Sequence, residues 1–266
     1  MPLFSIITIN YNNCTGLKQT MESVLSQTCQ DYEYLVIDGG STDGSLELIE
    51  SEKAKLAHWV SEKDNGIYAA MNKGIAAASG IYCLFLNSGD RLSDRGVLQR
   101  VATQNPPENI LYGELIFDYG NGKTRHAGIP DKITLPYLFS DNIWHPSTFI
   151  QRSLFDSLGR YKEEYRIAAD YDFFFNAFIL KKVTSRRLPF VVSIHLADGV
   201  SSQPENRAVV EAERNRIHLA YLSPDVIDSL SQLAELNNSG AVKFGKWLDR
   251  KPYLKRVFSF LSRISR

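Results

Sequence analysis

Cysteine is scarce in this 266-residue chain: Cys14, Cys29 and Cys83 stand far apart, with no C-x-x-C pair among them. An odd, scattered set of this kind argues against a disulfide framework and against a zinc site, and it fits a reducing compartment. An excess of charge of one sign is also missing. Thirty Lys and Arg balance thirty Asp and Glu, so no global field marks nucleic acid as a partner. No stretch reaches the roughly 18 apolar residues of a membrane span. The opening Met1-Pro2-Leu3-Phe4-Ser5-Ile6 lacks the basic start of a signal peptide, and no small-residue cleavage site follows it. A cytoplasmic chain is therefore expected, neither exported nor integral to a membrane. The loop after the first apolar run is Asn10-Tyr11-Asn12-Asn13. It is neither a G-x-G-x-x-G turn nor a Gly-Lys-Ser/Thr phosphate loop, which speaks against a redox dinucleotide and a P-loop nucleotidase.

What is present is an alternation. Short apolar runs at residues 4–9, 34–37, 57–60 and 82–86 are separated by amphipathic stretches at 17–25, 46–52 and 67–78. Strand followed by helix, repeated, predicts an α/β fold with a mainly parallel central sheet flanked by helices. Further along, residues 110–117 read as a strand entering the turn Tyr119-Gly120-Asn121-Gly122, with a return near 123–126; Asn-Gly is a strong hairpin signal. Helices are expected at 152–158 and 170–181, a strand at 188–195, and helix from residue 205 onward with breaks near Pro224, Gly240 and Pro252.

In a parallel sheet, ligands bind beyond the carboxyl ends of the strands, so the residues that follow each strand are the candidates. After the first strand, Asn10 and Asn12 offer amides and Tyr11 a ring on which a nucleobase can stack. The second strand ends in Asp38-Gly39-Gly40-Ser41-Thr42-Asp43. Asp38 suits a base N–H or a ribose hydroxyl, and it equally suits a structural role. Asp43 or Thr42 fits as a cap for the next helix.

Together with Ser5-Ile6-Ile7-Thr8-Ile9-Asn10-Tyr11-Asn12 and Ser23-Val24-Leu25-Ser26-Gln27-Thr28, this run resembles the opening of family-2 glycosyltransferases. Further matches follow in the family's order: Glu62-Lys63-Asp64-Asn65-Gly66-Ile67-Tyr68 through Lys73-Gly74, and Leu84-Phe85-Leu86-Asn87-Ser88-Gly89-Asp90. The resemblance spans roughly residues 1–202. It implies a GT-A fold, a Rossmann-like nucleotide-binding half over about 1–104 and an acceptor-binding half over about 105–222. Residues 223–266 would form a helical C-terminal tail.

The resemblance also implies roles. Asp64 and Lys73 would belong to the site of a nucleotide-sugar donor, with Asn87 and Ser88. Asp90 resembles the last carboxylate of the family's metal-binding Asp-x-Asp region, whose other acidic positions are not kept here. A divalent metal, Mg²⁺ or Mn²⁺, is commonly held by one or two carboxylates and substrate phosphates. Asp170 matches the aspartate of the family's Glu-Asp motif, the expected general base, with Ala169 in the glutamate's place and Asp172 in reserve. His145 and Ser201 resemble segments around the acceptor or the diphosphate. The acceptor would be a glycan or a lipid-linked glycan, as in cell-surface polysaccharide assembly.

Residues 251–266 contain no acid, and Leu254, Val257, Phe258, Leu261 and Ile264 fall at helical spacing beside Lys255, Arg256, Arg263 and Arg266. Such a basic amphipathic helix can lie on an anionic membrane surface, here the cytoplasmic face of the inner membrane, or pack on its own domain or on a second subunit. Two other functions are weighed against glycosyl transfer. A sugar nucleotidyltransferase needs a glycine-rich basic loop after the first strand, which residues 10–13 do not supply. A non-catalytic nucleotide-sugar or glycan-binding protein would account for the thinned metal motif.

Overall fold

Strands buried along most of their length need cover on both faces. In the computed structural model, which describes residues 1–197 and 204–239, β1 (Phe4–Asn10), β2 (Tyr32–Asp38), β3 (His58–Ser61) and β4 (Tyr82–Phe85) lie parallel in the order β3-β2-β1-β4. Alternate side chains feed two cores. Phe4, Ile6, Tyr34, Val36 and Leu84 join Leu17, Met21 and Val24 of α1 (Cys14–Leu25) and Ile49 of α2 (Ser45–Glu52) on one face. Ile7, Ile9, Leu35, Ile37 and Phe85 meet Tyr68, Met71 and Ile75 of α3 (Ile67–Ala77) on the other. Burying each such side chain contributes about 1.5–3 kcal/mol. The approach of α3 requires a glycine: a Cβ at Gly74 would stand 2.4 Å from Ile7 Cγ2.

Past β4 the sheet becomes mixed. Continuing the order come β8 (Thr148–Gln151), β6 (Ile110–Asp118), β9 (Ser185–Leu196) and the two-residue β5 (Arg91–Leu92). β8 runs antiparallel to both β4 and β6, whereas β6 and β9 are parallel. β7 (Thr124–Ala127) pairs with the far half of β6 across the expected hairpin, where Asn121 and Gly122 both take positive φ. Among the described residues a single nine-stranded sheet thus joins all of these strands. β5, β8, α4 (Val97–Ala102) and α5 (Leu135–Ser140) were not anticipated from the sequence. The expected helix over 170–181 is α7 (Ala169–Phe175) continued by a π-helical turn, Asn176–Leu180. The expected helix over 152–158 is α6 (Ser153–Ser157).

Two further helices, α8 (Arg207–Tyr221) and α9 (Pro224–Asn238), close the described chain, with α8 packed on α7 and α9 on α5 and α8. His218 of α8 is buried, stacked on Phe139 at 4.4 Å between ring centroids and 2.7 Å from the Tyr171 hydroxyl. Burial, reinforced by the Arg214 charge, pushes its pKa down to about 4, so it docks as a neutral ring. No helix among the described residues is long and apolar enough to cross a membrane. Ser201 and the basic stretch 251–266 lie outside the described residues.

Candidate active site

The parallel strands end in a polar edge organised by Asp38. Its Oδ1 accepts Asn10 Nδ2 at 2.7 Å and Ser41 Oγ at 2.6 Å; its Oδ2 accepts Ser41 N at 2.9 Å and Ser61 Oγ at 2.5 Å. One carboxylate thereby ties together the ends of β1, β2 and β3. Burial opposes its charge, but the hydrogen bonds from Ser41, Ser61 and Asn10 outweigh that and hold the carboxyl below its ordinary value. The loops interlock further, because Asn12 N donates to Ser41 Oγ and Thr42 N donates to Asn12 Oδ1. The N-cap of α2 is Gly44, not the expected Asp43 or Thr42; Asp43, one residue earlier, accepts Ser45 N and Ser45 Oγ and also Cys14 N at the start of α1.

Beside this edge the Tyr11 ring is 69% exposed. A Cβ added at Gly39 would stand 3.1 Å from that ring and 3.5 Å from Asp64 Oδ2, so Tyr11, Gly39 and Asp64 adjoin at one surface. Lys73 reaches from α3 to pair with Asp64 and, at 2.8 Å, with Glu62. The hydrogen bonds to Asp64 and Glu62 raise its pKa. Asn10, Tyr11, Asn12, Asp38, Asp64 and Lys73 thus form one contiguous edge.

Asn87, Ser88 and Asp90 follow β4. The Ser88 hydroxyl donates to Ile9 O at 3.2 Å. Asp90 is 2% exposed, with Oδ1 bound at 2.6 Å to Nδ1 of His195. Its Oδ2 is buried with no hydrogen-bond partner, and so is Oδ1 of Asn87. Unpaired buried acceptors are costly, and two hard oxygens of this kind suit a cation such as Mg²⁺ or Mn²⁺. Among the described residues no group of three or more His, Cys, Asp or Glu converges on a metal position.

Asp170 lies at the head of α7, 7% exposed, in the wall of a cavity of about 260 Å³. Tyr68 OH stands 3.0 Å from Oδ1 and also contacts Ile167 O; Tyr171 N donates to Oδ1 at 2.9 Å. Burial and then the Asp170 charge raise the Tyr68 pKa well above its ordinary value, so the hydroxyl keeps its proton. On the other oxygen, Oδ2, His145 Nδ1 stands at 3.2 Å. The other ring nitrogen, Nε2, lies 3.3 Å from Asn87 Nδ2, so the imidazole bridges Asn87 and the carboxylate. Trp144, Phe117, Ile67 and Met71 give the cavity an apolar wall, and His195 also borders it.

Two helical positions separate Asp170 from Asp172, which puts them on different faces. Asp172 pairs with Lys162 at 3.1 Å and does not line the cavity. The structure therefore gathers Asn87, His145 and Asp170 at one cavity. Tyr68, Trp144 and His195 were not singled out as site residues from the sequence. No local signal links His195 to Asp90, 105 residues away.

The comparisons agree on a family. A family model described as glycosyl transferase family 2 matches residues 5–165. A PGL/p-HBAD biosynthesis glycosyltransferase of Mycobacterium bovis is 34% identical over 198 residues, covering 72% of this chain and 76% of the relative. An uncharacterized glycosyltransferase of Mycobacterium tuberculosis is 34% identical over 217 residues, covering 78% and 80%. Among solved structures, S. aureus TarS in complex with UDP gives a TM-score of 0.63 at 20% identity, over 86% of this chain and 69% of that one. The mannosyltransferase PcManGT from Pyrobaculum calidifontis, in complex with GDP-Man and Mn²⁺, gives 0.56 at 16% identity, over 95% and 85%. These likenesses show the fold, the GT-A type.

Four donors converge on Asp38, so its removal should be costly. Asp38→Ala is expected to lower unfolding stability by on the order of 3 kcal/mol, because several buried donors lose their acceptor. The wild-type carboxyl titrates below its unfolded value, so its contribution is present above about pH 4 and fades as pH falls further. Urea denaturation at neutral pH checks this, and an unchanged midpoint would show that the edge does not depend on Asp38.

Proposed function

The chain belongs to glycosyl transferase family 2, and on that premise we propose that it moves a sugar from a nucleoside-diphosphate donor to an acceptor hydroxyl with inversion, using Asp170 as general base. The observation that carries this is the Asp170 carboxylate in a cavity wall, with the Tyr68 hydroxyl on one oxygen and the His145 ring on the other. One base on one side of the reacting carbon suits a single displacement. Asp170 takes the proton from the acceptor hydroxyl as that oxygen bonds to the anomeric carbon. The bond from that carbon to the diphosphate oxygen breaks, and its electron pair leaves with the nucleoside diphosphate. General-base catalysis of this kind contributes about 10²- to 10⁴-fold.

The donor is assigned to the edge formed by Asn10, Tyr11, Asn12, Asp38, Asp64 and Lys73. The exposed Tyr11 ring suits a stacked base and Asp64 a ribose or base donor, with Lys73 turned from its carboxylate partners toward the nucleotide. TarS holds UDP and PcManGT holds GDP-Man, so uridine and guanosine donors head the candidates. Asp90 Oδ2 and Asn87 Oδ1 would hold a divalent metal together with the donor's phosphates, and the fit rests on both oxygens being buried without a hydrogen-bond partner. Bound there, the metal supplies charge neutralisation for the departing diphosphate. His145 and Ser201 are assigned to the acceptor or the diphosphate, and the acceptor to a glycan or lipid-linked glycan met at the cytoplasmic membrane face.

Thermal shift against UDP-GlcNAc, GDP-mannose and dTDP-sugars with Mg²⁺ or Mn²⁺ is expected to single out one donor, since stabilisation follows occupancy of the native state. With that donor, Asp170→Asn is expected to lose at least about 10²-fold in nucleoside diphosphate release while its thermal shift stays intact. Normal turnover of Asp170→Asn would overturn the assignment of the base. For the basic stretch, truncation after Arg250 is expected to abolish co-sedimentation with anionic liposomes, and unchanged partitioning would contradict membrane contact.

A further inference from the structure

The backbone just before Asp170 carries three consecutive amides that are not used by α7. Arg166 N donates to Glu213 Oε1 at 2.6 Å, and Ile167 N and Ala168 N each donate to Glu213 Oε2 at 2.9 Å. Glu213 comes from α8, about 45 residues further along the chain. A carboxylate that accepts three successive N–H groups just ahead of a helix satisfies donors the helix itself does not use and sits favourably near its positive end. Its neighbour Arg214 performs the mirror task on α5: its guanidinium donates to Leu138 O and Asp141 O and lies 4.2 Å over the Tyr171 ring. Two adjacent residues of opposite charge thus clamp amides on one side and carbonyls on the other.

We infer that Glu213 is a positioning residue for the base, fixing the 166–168 strap so that Asp170 stands at reaction distance from the acceptor hydroxyl. This rests on the assignment of Asp170. The strap has two anchors: Glu213 holds its amides, and the Tyr68 hydroxyl contacts Ile167 O as well as Asp170. Displacement of the strap moves the very group that bonds to the carboxylate. Of the elements that build the donor edge, β1, β2 and β3 lie clear of these bonds, and α3 meets the strap only at Tyr68, more than a helical turn from Lys73. Loss of Glu213 therefore acts on the chemical step and spares donor binding.

The test uses the full chain, with Glu213→Ala, Glu213→Gln, Asp170→Asn and the Asp170→Asn/Glu213→Ala double variant. The probe is the nucleotide sugar chosen by thermal shift, with water as acceptor and nucleoside diphosphate release as readout. Glu213→Ala is expected to lower kcat about 10- to 100-fold, the scale on which misplacement of a reacting group acts, with donor KM within about two-fold. Glu213→Gln keeps one accepting oxygen and should fall between it and wild type; it carries the same test if Glu213→Ala does not fold. The double variant should be no slower than Asp170→Asn, because residues that act as a unit are non-additive. Hydrogen exchange at the amides of Arg166, Ile167 and Ala168 should quicken in both Glu213 variants. Wild-type kcat, a matching rise in donor KM, multiplicative losses in the double variant, or unchanged exchange would each overturn the inference. Failure of the base assignment is visible separately, as normal turnover in Asp170→Asn alone.

Discussion

A carboxylate in a mostly water-excluded wall needs both of its oxygens held, and Asp170 is held from three separate parts of the chain. Tyr68 comes from α3, on the parallel half of the sheet; His145 comes from the turn that enters β8, between the two halves; Tyr171 N belongs to α7 itself. The tyrosine keeps its proton because it is buried beside that same charge. Tyr68 and the Tyr171 amide are thereby donors to Oδ1, His145 stands on Oδ2, and the carboxylate lines the cavity.

The mixed sheet follows from the same requirement. Four parallel strands place the polar edge around Asp38, Asp64 and Tyr11 at their carboxyl ends. β8, wedged antiparallel between β4 and β6, carries His145 to within hydrogen-bond reach of both Asn87 and Asp170. β9 brings His195 to Asp90. Groups at the ends of the parallel strands and groups from the later strands are therefore joined through hydrogen bonds, not merely placed in adjacent loops.

The parallel half was legible because short apolar runs alternate there with amphipathic helices, so period and burial agree. The hairpin at Asn121-Gly122 was legible for a similar reason, since its φ values demand those residues. β8 was not: four residues after a Pro-containing turn have no period of their own and become a strand only through partners on both sides. The same limit governs the site. Asp38, Asp64, Asp90 and Asp170 stand in recognisable local runs, but His145 with Asp170, His195 with Asp90 and Glu213 with the strap are contacts across 25 to 105 residues. Nothing local encodes them. The resemblance ranks Asp170 ahead of Asp172; in the structure Asp170 lines the cavity and Asp172 pairs with Lys162.

The central claim is a single displacement assisted by one base. Its most direct measurement is the anomeric configuration of the first sugar released, followed by proton NMR before mutarotation, with the bound nucleotide sugar as donor and water as acceptor. The account predicts a product inverted relative to the donor. A product that retains the donor's configuration would contradict it.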